Sequence, residues 1–403
     1  MTAPSAHIGE TSAERRTLAA ATSAHALHDG YTDLLYLLLP VWQSEFGLGY
    51  AEVGALRSSY TATMAALQIP SSMLAERVSP ILVLAGGTVL AAGCFLLAGL
   101  STGVAGLLAA LVLGGIGASV QHPVGSSIVS RAYSGARSRT ALGFYNFTGD
   151  MGKMAMPPLA AGLFMLMAWR PALWVVAGLG LIVAALVVVL APPAAHAAHG
   201  TQEPPPDAAK QEGHAAAPPS PHGFRLLLGI GAIDNAARSG FLTFLPFLLQ
   251  AKGASLATIA LALSLVLAGG AAGKLVCGYL GSRLGVLTTI ILTEGCTAAG
   301  IVTLLALPLQ ASLMLLPLIG IALNGTSSVL YGTVPELVAP QARTRAFGVF
   351  YTGTIAASAL APPVLGLFAD RLGVPSTMTA IAVGVLLTIP LTVALNPLLP
   401  RQS

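Results

Sequence analysis

Long apolar stretches recur along nearly the whole chain and are separated by short polar segments. Each stretch is about 20 residues or longer, which lets a helix cross a hydrocarbon core roughly 30 Å thick. Small residues, including much of the 45 Gly, lie within these stretches and favour close helix packing in lipid. The pattern predicts an all-α membrane protein with twelve transmembrane helices, at residues 18–40, 51–75, 80–101, 104–131, 139–168, 172–192, 224–250, 255–281, 286–307, 311–336, 342–370 and 374–397.

The segment between the sixth and seventh spans differs in composition from the rest of the chain. It is rich in Pro, Ala and His, and this composition cannot build a core. We predict a cytoplasmic tail (1–17), a first six-helix half (18–192), a cytoplasmic linker (193–223), a second six-helix half (224–397) and a cytoplasmic tail (398–403). The linker histidines could bind metal, but a solvated linker is the preferred interpretation; they are His196, His199, His214 and His222.

Composition narrows the functional classes. Hydrophobic residues make up 55% of the 403 residues and charged residues 8%, whereas about a quarter of a soluble domain is charged, so a water-soluble protein is excluded. The three cysteines lie in apolar stretches without CxxC spacing, and we expect no disulfide framework, metal site or cofactor. The net charge of +4 comes from scattered basic residues, which argues against a nucleic-acid partner. Residues 1–17 are polar and lead directly into a full span, so no cleavable signal peptide is expected.

The distribution of Lys and Arg predicts the orientation in the membrane. Cytoplasmic loops carry an excess of these residues. With the N-terminus inside, the basic loop residues fall mainly on the cytoplasmic side, and only Arg170, Lys252 and Arg371 lie outside. We therefore predict a multi-pass protein of the bacterial inner membrane with both termini in the cytoplasm.

An internal repeat with an offset of 205 residues supports the division into halves. It aligns Asp29 with Asp234 and Asp33 with Arg238, and in the fifth and eleventh spans it aligns Gly143, Pro157 and Pro158 with Gly348, Pro362 and Pro363. Two six-helix halves repeated in the same orientation resemble the major facilitator superfamily. The resemblance implies a solute site between the halves near mid-membrane, alternating access, and a protein that works as a monomer.

Ionisable residues within the spans are costly and usually face a cavity or a partner. Residues three or four positions apart share a helix face, as do Asp29 and Asp33, Asp150 and Lys153, and Asp234 and Arg238. We expect these six residues at or near the central cavity, and the alternative is a set of buried ion pairs that lock helices together. Matching depths also predict an Asp33–Arg57 pair and a structural Lys274–Glu294 pair.

His122 precedes Pro123 in the fourth span, and two interpretations stay open. The proline kinks the helix, or the break serves proton coupling or solute contact through the imidazole. His25 lies four residues before Asp29 and is expected to face the cavity. The predicted proton-coupling residues are Asp29, Asp33, Asp150, Asp234 and His122.

The intramembrane bases favour a small anionic or zwitterionic substrate, because unpaired bases create a positive field and Arg binds carboxylate, phosphonate or phosphate in bidentate fashion. Buried carboxylates could carry the coupling protons. The predicted substrate-binding residues are His25, Arg57, Lys153, Arg238, Asn146 and Asn235.

Several segments resemble the fosmidomycin-resistance-type transporters. They are His25-Ala-Leu-His-Asp29-Gly-Tyr-Thr-Asp33, Leu39-Pro40-Val-Trp-Gln43-Ser-Glu45-Phe46, Gly117-Ala-Ser-Val-Gln-His122-Pro123 and the segment from Tyr331 to Leu337. The resemblance implies a proton-driven exporter that protects a bacterium from a small toxic compound. Two features depart from the pattern. The superfamily gating motif is reduced to Glu76-Arg77 and to Arg283 without its acid, and Asp150 stands where the family has Asn.

We therefore expect export of a small anionic or zwitterionic compound by proton antiport, and the alternative is proton-coupled uptake of a small organic anion. Nothing in the sequence sets the direction. An intramembrane enzyme is not expected, because the chain has no HExxH, P-loop or GxSxG motif. A non-transporting receptor or scaffold is a further alternative, but the mid-membrane charges would then have no function.

Overall fold

A computed structural model describes residues 10–193, 220–339 and 342–399. The predicted linker 193–223 lies largely outside the described residues, as do its histidines His196, His199 and His214. Most of the predicted N-terminal tail and the last four residues also lie outside them.

The described residues form twelve long helices, which confirms the predicted all-α architecture with six spans in each half. The first half contains α1 (Ser12–Phe46), α2 (Tyr50–Arg77), α3 (Pro80–Leu100), α4 (Val104–Ala132), α5 (Gly135–Leu166) and α6 (Trp169–Leu190). The second half begins with α7 (Pro221–Ala251), and α10 is Leu309–Thr333.

Two helical runs in the second half each contain two spans. Leu256–Ala306 turns at Gly285, which separates α8 (256–284) from α9 (286–306). Gly373 likewise divides α11 (343–372) from α12 (374–395). Both glycines have φ of 81°, a left-handed conformation that glycine adopts without the cost that a Cβ imposes. A single glycine thus reverses the chain direction between consecutive spans.

Hydropathy separates the helices into two groups. Among the described residues, six helical runs are long and apolar enough to cross a membrane, and they contain α3, α4, α6, α8 with α9, α10, and α11 with α12. The remaining helices are α1, α2, α5 and α7, which carry most of the intramembrane charges that the sequence singled out. All four of these more polar helices contribute side chains to the central cavity.

Short connections alternate between two ends of the bundle. We call the end at which α1 begins the Thr11 end and the end at which it finishes the Gly47 end. Thr11 caps α1 through a hydrogen bond from the Glu14 N–H at 3.2 Å, and the Glu14 carboxylate accepts the Thr11 N–H at 2.7 Å. This capping box starts α1 at Ser12, earlier than the hydropathy pattern predicted.

The two halves pack against each other toward the Gly47 end. A Cβ on Gly54 of α2 would lie 2.3 Å from the Pro362 carbonyl oxygen of α11, and one on Gly366 would lie 2.3 Å from the Tyr50 carbonyl oxygen. Only residues without side chains allow such a close approach of helix backbones. The hydrophobic core continues across the interface, since leucines of α1 and phenylalanines of α7 belong to one cluster. The central cavity is therefore closed at this end.

Side chains at the Thr11 end are more exposed. The predicted gating residues Glu76, Arg77 and Arg283 are all exposed there. Their gating role stays a prediction. The guanidinium of Arg283 lies 5.4 Å from the Tyr279 ring centre, on its own helix.

Candidate functional site

A cavity of about 210 Å³ lies between the two halves. Since one liquid water occupies about 30 Å³, the cavity has room for a small solute. Its walls combine ionisable and neutral polar side chains from both halves, and its charged or imidazole lining residues are Asp29, Asp33, Arg57, His122, Asp150, Lys153, Arg238 and Lys274. The structure thus brings seven of the predicted charged residues and His122 to one cavity.

Asp29 is the centre of the charge network in the first half. Its Oδ2 lies 3.0 Å from Lys153 Nζ and 3.3 Å from His25 Nε2, and its Oδ1 lies 3.8 Å from His122 Nε2. The close approach of α1 and α5 depends on Gly152, where a Cβ would lie 1.8 Å from the Ala26 carbonyl oxygen. Because glycine has no side chain, Gly152 lets α1 and α5 approach closely enough for Asp29 to contact Lys153.

His25 is buried behind Asp29 rather than in the cavity wall. Its Nδ1 lies 2.8 Å from the Tyr145 backbone oxygen, which can only accept a hydrogen bond, so Nδ1 carries a proton. Its Nε2 is buried, has no other partner and faces the Asp29 carboxylate. A nitrogen lone pair and a carboxylate oxygen repel each other unless a proton lies between them. The geometry makes His25–Asp29 a pair suited to hold one proton.

His122 reaches the site from an irregular part of α4. Residues Gln121–Gly125 form a π-helical turn around Pro123, so the predicted break is present, and such turns are frequent at functional sites. The possible ligand atoms of His25, Asp29 and His122 lie within 4.8 Å of one another, close enough to hold a metal ion. The Lys153 ammonium already occupies Asp29 Oδ2, and it competes with any cation for that oxygen.

Asp150 joins the two halves through Lys274. The Lys274 ammonium donates to Oδ1 at 2.8 Å and to Oδ2 at 2.7 Å, and Lys153 Nζ lies 3.5 Å from Oδ1. The predicted Lys274–Glu294 ion pair is therefore wrong. Depth along a helix gives no information about the direction in which a side chain points, and Lys274 points into the cavity while Glu294 contacts Asp234.

Arg57 is held by neutral groups. Its guanidinium donates to the Tyr36 hydroxyl at 3.0 Å and to the Thr61 hydroxyl one turn along α2, and it lies 4.6 Å from the Tyr36 ring centre. The predicted Asp33–Arg57 ion pair is not formed, because these nearer partners hold the guanidinium. Asp33 lines the cavity without a hydrogen bond or ion pair to any residue that the structure describes.

The second half contributes Asn235 and Arg238 to the cavity. Arg238 donates to Asn235 Oδ1 at 2.5 Å, and the Asn235 amide donates to the Gly231 carbonyl at 3.0 Å. Asp234 lies behind the wall and is 2% exposed, so it is near the cavity but does not line it. Asn146 is exposed on α5 and is not part of the cavity lining.

Sequence reasoning missed the neutral partners of the site. Tyr36 and Thr61 hold Arg57, the backbone carbonyl of Tyr145 fixes the tautomer of His25, and Asn324 of α10 lines the cavity. Tyr, Thr and Asn within a span are common and carry no charge penalty. They give no signal until the helix face that meets the cavity is known.

Comparisons with known proteins agree with this architecture. The Major Facilitator Superfamily model matches residues 22–233 and 227–403. The solved structure of a bacterial homologue of the human lysosomal transporter Spinster, in an inward-facing and occupied conformation, is 16% identical. It aligns with a TM-score of 0.79, covering 98% of this chain and 100% of that chain. A nucleoside transporter structure is 15% identical with a TM-score of 0.74, and the alignment covers 96% of this chain and 99% of that one.

Curated relatives match over shorter segments. The fosmidomycin resistance protein of Escherichia coli is 32% identical over 151 residues, which is 36% of this chain and 35% of that protein. A probable L-galactonate transporter of Escherichia coli is 25% identical over 142 residues, covering 35% of this chain and 31% of that protein. These alignments span about a third of the relatives' length. The match to the family model extends through both halves, and the chain belongs to the major facilitator superfamily of membrane transporters.

Proposed function

We propose that this transporter exports a small anionic or zwitterionic compound from the bacterial cytoplasm in exchange for protons. One observation carries the proposal. Arg57 from the first half and Arg238 from the second line the same cavity, and the groups that hold them are neutral. Both guanidinium groups therefore keep their positive charge for a solute, and together they favour a carboxylate, phosphonate or phosphate.

The remaining charges of the cavity are arranged differently. Lys153 and Lys274 already contact Asp29 and Asp150, so they add little net field. Asp33 is the one carboxylate of the cavity that has no bonded partner among the described residues. A zwitterion would place its anionic group between the arginines and its cationic group at Asp33. Within the proposed substrate class, a zwitterion would use both the arginines and Asp33, and an anion would use the arginines alone.

Asp33 also supports coupling by exchange. A proton on Asp33 would neutralise the group that binds the cationic part of the solute, so proton and solute compete for one carboxylate. Competition for one site is what antiport requires, because each ligand must displace the other as the cavity faces alternate sides. The likeness to the fosmidomycin resistance protein over 151 residues supports the outward direction. In this proposal the Thr11 end faces the cytoplasm.

A second candidate function rests on His25 and Asp29. A proton held between them adds one positive charge beside the cavity, next to the Lys153 ammonium. That charge favours an anion, so proton and anion would bind together. Cooperative binding of this kind supports proton-coupled uptake of a small organic anion, which the same fold can perform.

The test uses an efflux-deficient bacterium that expresses the parent, Asp33→Asn, Arg238→Gln or Arg15→Gln. The strains are compared for tolerance to phosphonates, organic acids and antibiotics. We expect the parent and Arg15→Gln to protect against one chemical class, because Arg15 is exposed at the start of α1 and lies outside the cavity, while the other two variants lose protection. Greater sensitivity of the parent strain than of a strain without the protein would contradict export and favour uptake.

Flux in proteoliposomes separates the coupling modes. An inward proton gradient should drive efflux of the identified compound by the parent protein. Asp33→Asn should abolish gradient-driven efflux yet leave exchange of labelled for unlabelled solute. Equal gradient-driven flux by Asp33→Asn and the parent would exclude Asp33 as the coupling group, and loss through Asp29→Asn alone would place coupling at His25–Asp29.

A further inference from the structure

Two carboxyl groups contact each other in the second half, away from the central cavity. The side chains of Asp234 of α7 and Glu294 of α9 lie close enough to interact directly. The residues are 2% and 1% exposed, and neither lines the cavity. A hydrogen bond between two carboxyl groups requires a hydrogen on one of them, because an ionised carboxylate only accepts.

No cation of the described part of the chain neutralises this pair. The ion pairs found there include neither Asp234 nor Glu294. Arg238 lies one turn from Asp234, but its guanidinium donates to Asn235. Asp234 Oδ2 and Glu294 Oε1 are buried without a hydrogen-bond partner. Two ionised carboxylates in contact, shielded from water and without a cation, repel each other strongly, so one ionisation suppresses the other.

We propose that Asp234 and Glu294 form a second proton-binding site, outside the substrate cavity, that holds one shared proton. The pair then carries a single negative charge instead of two. It lies in the other half from the His25–Asp29 pair and consists of two carboxyl groups, and unlike Asp29 neither of its members lines the cavity. The proposal does not depend on the substrate or on the direction of transport.

Few titratable or charged groups act on the pair. Arg238 on α7 acts on Asp234, and Asp234 acts on Glu294. On α8, Lys274 is held by Asp150. On α10 and α11, the rings of Tyr331 and Tyr351 lie against each other, with centres 4.8 Å apart. Residues 374–395 of α12 contain no titratable side chain.

The site can influence the cavity through Arg238. Asp234 directly precedes Asn235, which holds the Arg238 guanidinium at the cavity wall. Loss of the shared proton adds a second negative charge behind this wall and attracts the guanidinium away from the cavity. The pair would therefore make anion binding weaker at high pH without contacting the solute.

The first test measures thermal unfolding of the full chain in detergent between pH 5 and 9, for the parent, Glu294→Gln, Asp234→Asn and the control Glu76→Gln. Unfolded carboxyl groups lose their protons above about pH 4. The folded pair keeps one, so folding binds a proton and the stability of the parent must fall as pH rises. We expect Glu294→Gln or Asp234→Asn to flatten this slope, because an amide donates the hydrogen bond without a proton from solution. Glu76→Gln should keep the parent slope, since Glu76 is exposed.

An unchanged slope in both Glu294→Gln and Asp234→Asn would overturn the proposal. Infrared spectroscopy provides a measurement at a single pH on whichever variant folds. The parent should show the carbonyl stretch of a buried carboxylic acid at neutral pH, and both variants should lack it. A parent spectrum without this band would also overturn the proposal.

A sodium ion is the competing occupant. Thr297, one turn after Glu294, adds a third buried oxygen without a partner, and Na⁺ binds such oxygen sets. The unfolding series is therefore repeated in NaCl, KCl and choline chloride of equal ionic strength. Equal stability in the three salts supports the shared proton. If Na⁺ alone stabilises the parent at high pH and this effect is lost in Glu294→Gln, the pair binds sodium and the proton proposal is overturned.

Discussion

The carboxylate of Asp370 on α11 caps the first turn of α2 across the interface between the two halves. Its Oδ1 accepts the Tyr50 N–H at 2.6 Å, and its Oδ2 accepts the Ala51 N–H at 3.0 Å. The first N–H groups of a helix lack partners within the helix, and a negative charge there is favourable. Asp370 therefore supplies a cap from the other half, which exists only while the Gly47 end is closed.

We predict that Asp370→Ala shifts the protein toward opening at the Gly47 end. Loss of an N-cap costs about 1 kcal/mol, which corresponds to roughly a fivefold change in the conformational equilibrium. The reporter is Ser58→Cys in a background without native cysteines, because Ser58 bonds to the Ala359 carbonyl of the other half and is half-buried while this end is closed. Thiol labelling should speed up about fivefold in Asp370→Ala and less in Asp370→Asn, whose amide oxygen still accepts. Equal labelling in Asp370→Ala and the parent would contradict this role.

Gly152 provides a test of the packing that positions Asp29. A methyl group at this position would overlap the Ala26 backbone, and overpacking of this kind costs about 1–3 kcal/mol. We predict that Gly152→Ala lowers the free energy of unfolding by about that amount and separates Asp29 from Lys153. Gly162→Ala in the same helix is the matched control, because a Cβ there meets no atom within 4 Å. Thermal unfolding of both variants should show a loss of stability only for Gly152→Ala.

The Asp370 cap on α2 and the contact of Gly152 with Ala26 show which features the sequence could predict and which it could not. Hydropathy located all twelve spans, since twenty apolar residues have few stable alternatives in lipid. Helical spacing also gave the contact between Asp150 and Lys153, which are three residues apart. The predicted partners of Lys274 and Arg57 were wrong, because helix packing determines which side chains meet. Gly152 lets α5 touch α1 at Ala26, and these two residues are far apart in the sequence. The rotation of each helix about its axis is therefore set by residues that are distant in the sequence.

Glu45 and Arg170 predict a dependence of stability on acid pH near the Gly47 end. Glu45 lies beyond the predicted span 18–40, and the Arg170 guanidinium, which donates to Oε1 at 2.6 Å, lowers the pKa of its carboxyl below the usual 4.5. A group with a lowered pKa in the folded state stabilises the fold above its unfolded pKa, and this contribution is lost as the pH falls through the folded value.

We therefore expect the parent to lose stability below about pH 4.5 partly through this pair, and Glu45→Gln to lose less over the same range. At neutral pH Glu45→Gln should be slightly less stable than the parent. The measurement is the unfolding temperature at pH 3.5 to 7, with the exposed Glu76→Gln as control. Parallel curves for Glu45→Gln and the parent would show that the pair does not affect stability.

A double-mutant cycle at Asp29 and Lys153 tests whether the central charges act as one network. Removing one partner of a buried pair leaves an uncompensated charge, and we predict that Lys153→Gln costs about 2 kcal/mol of unfolding free energy, below the usual range because His25 and His122 remain beside Asp29. Asp29→Asn should cost a similar amount, since it leaves the Lys153 ammonium with Asp150 alone. The double variant should be less destabilised than the sum of the two, because no charge is then left without a partner. Additive losses would mean that the 3.0 Å contact between Asp29 and Lys153 contributes no coupling energy, and Asp29 would then act through His25 alone.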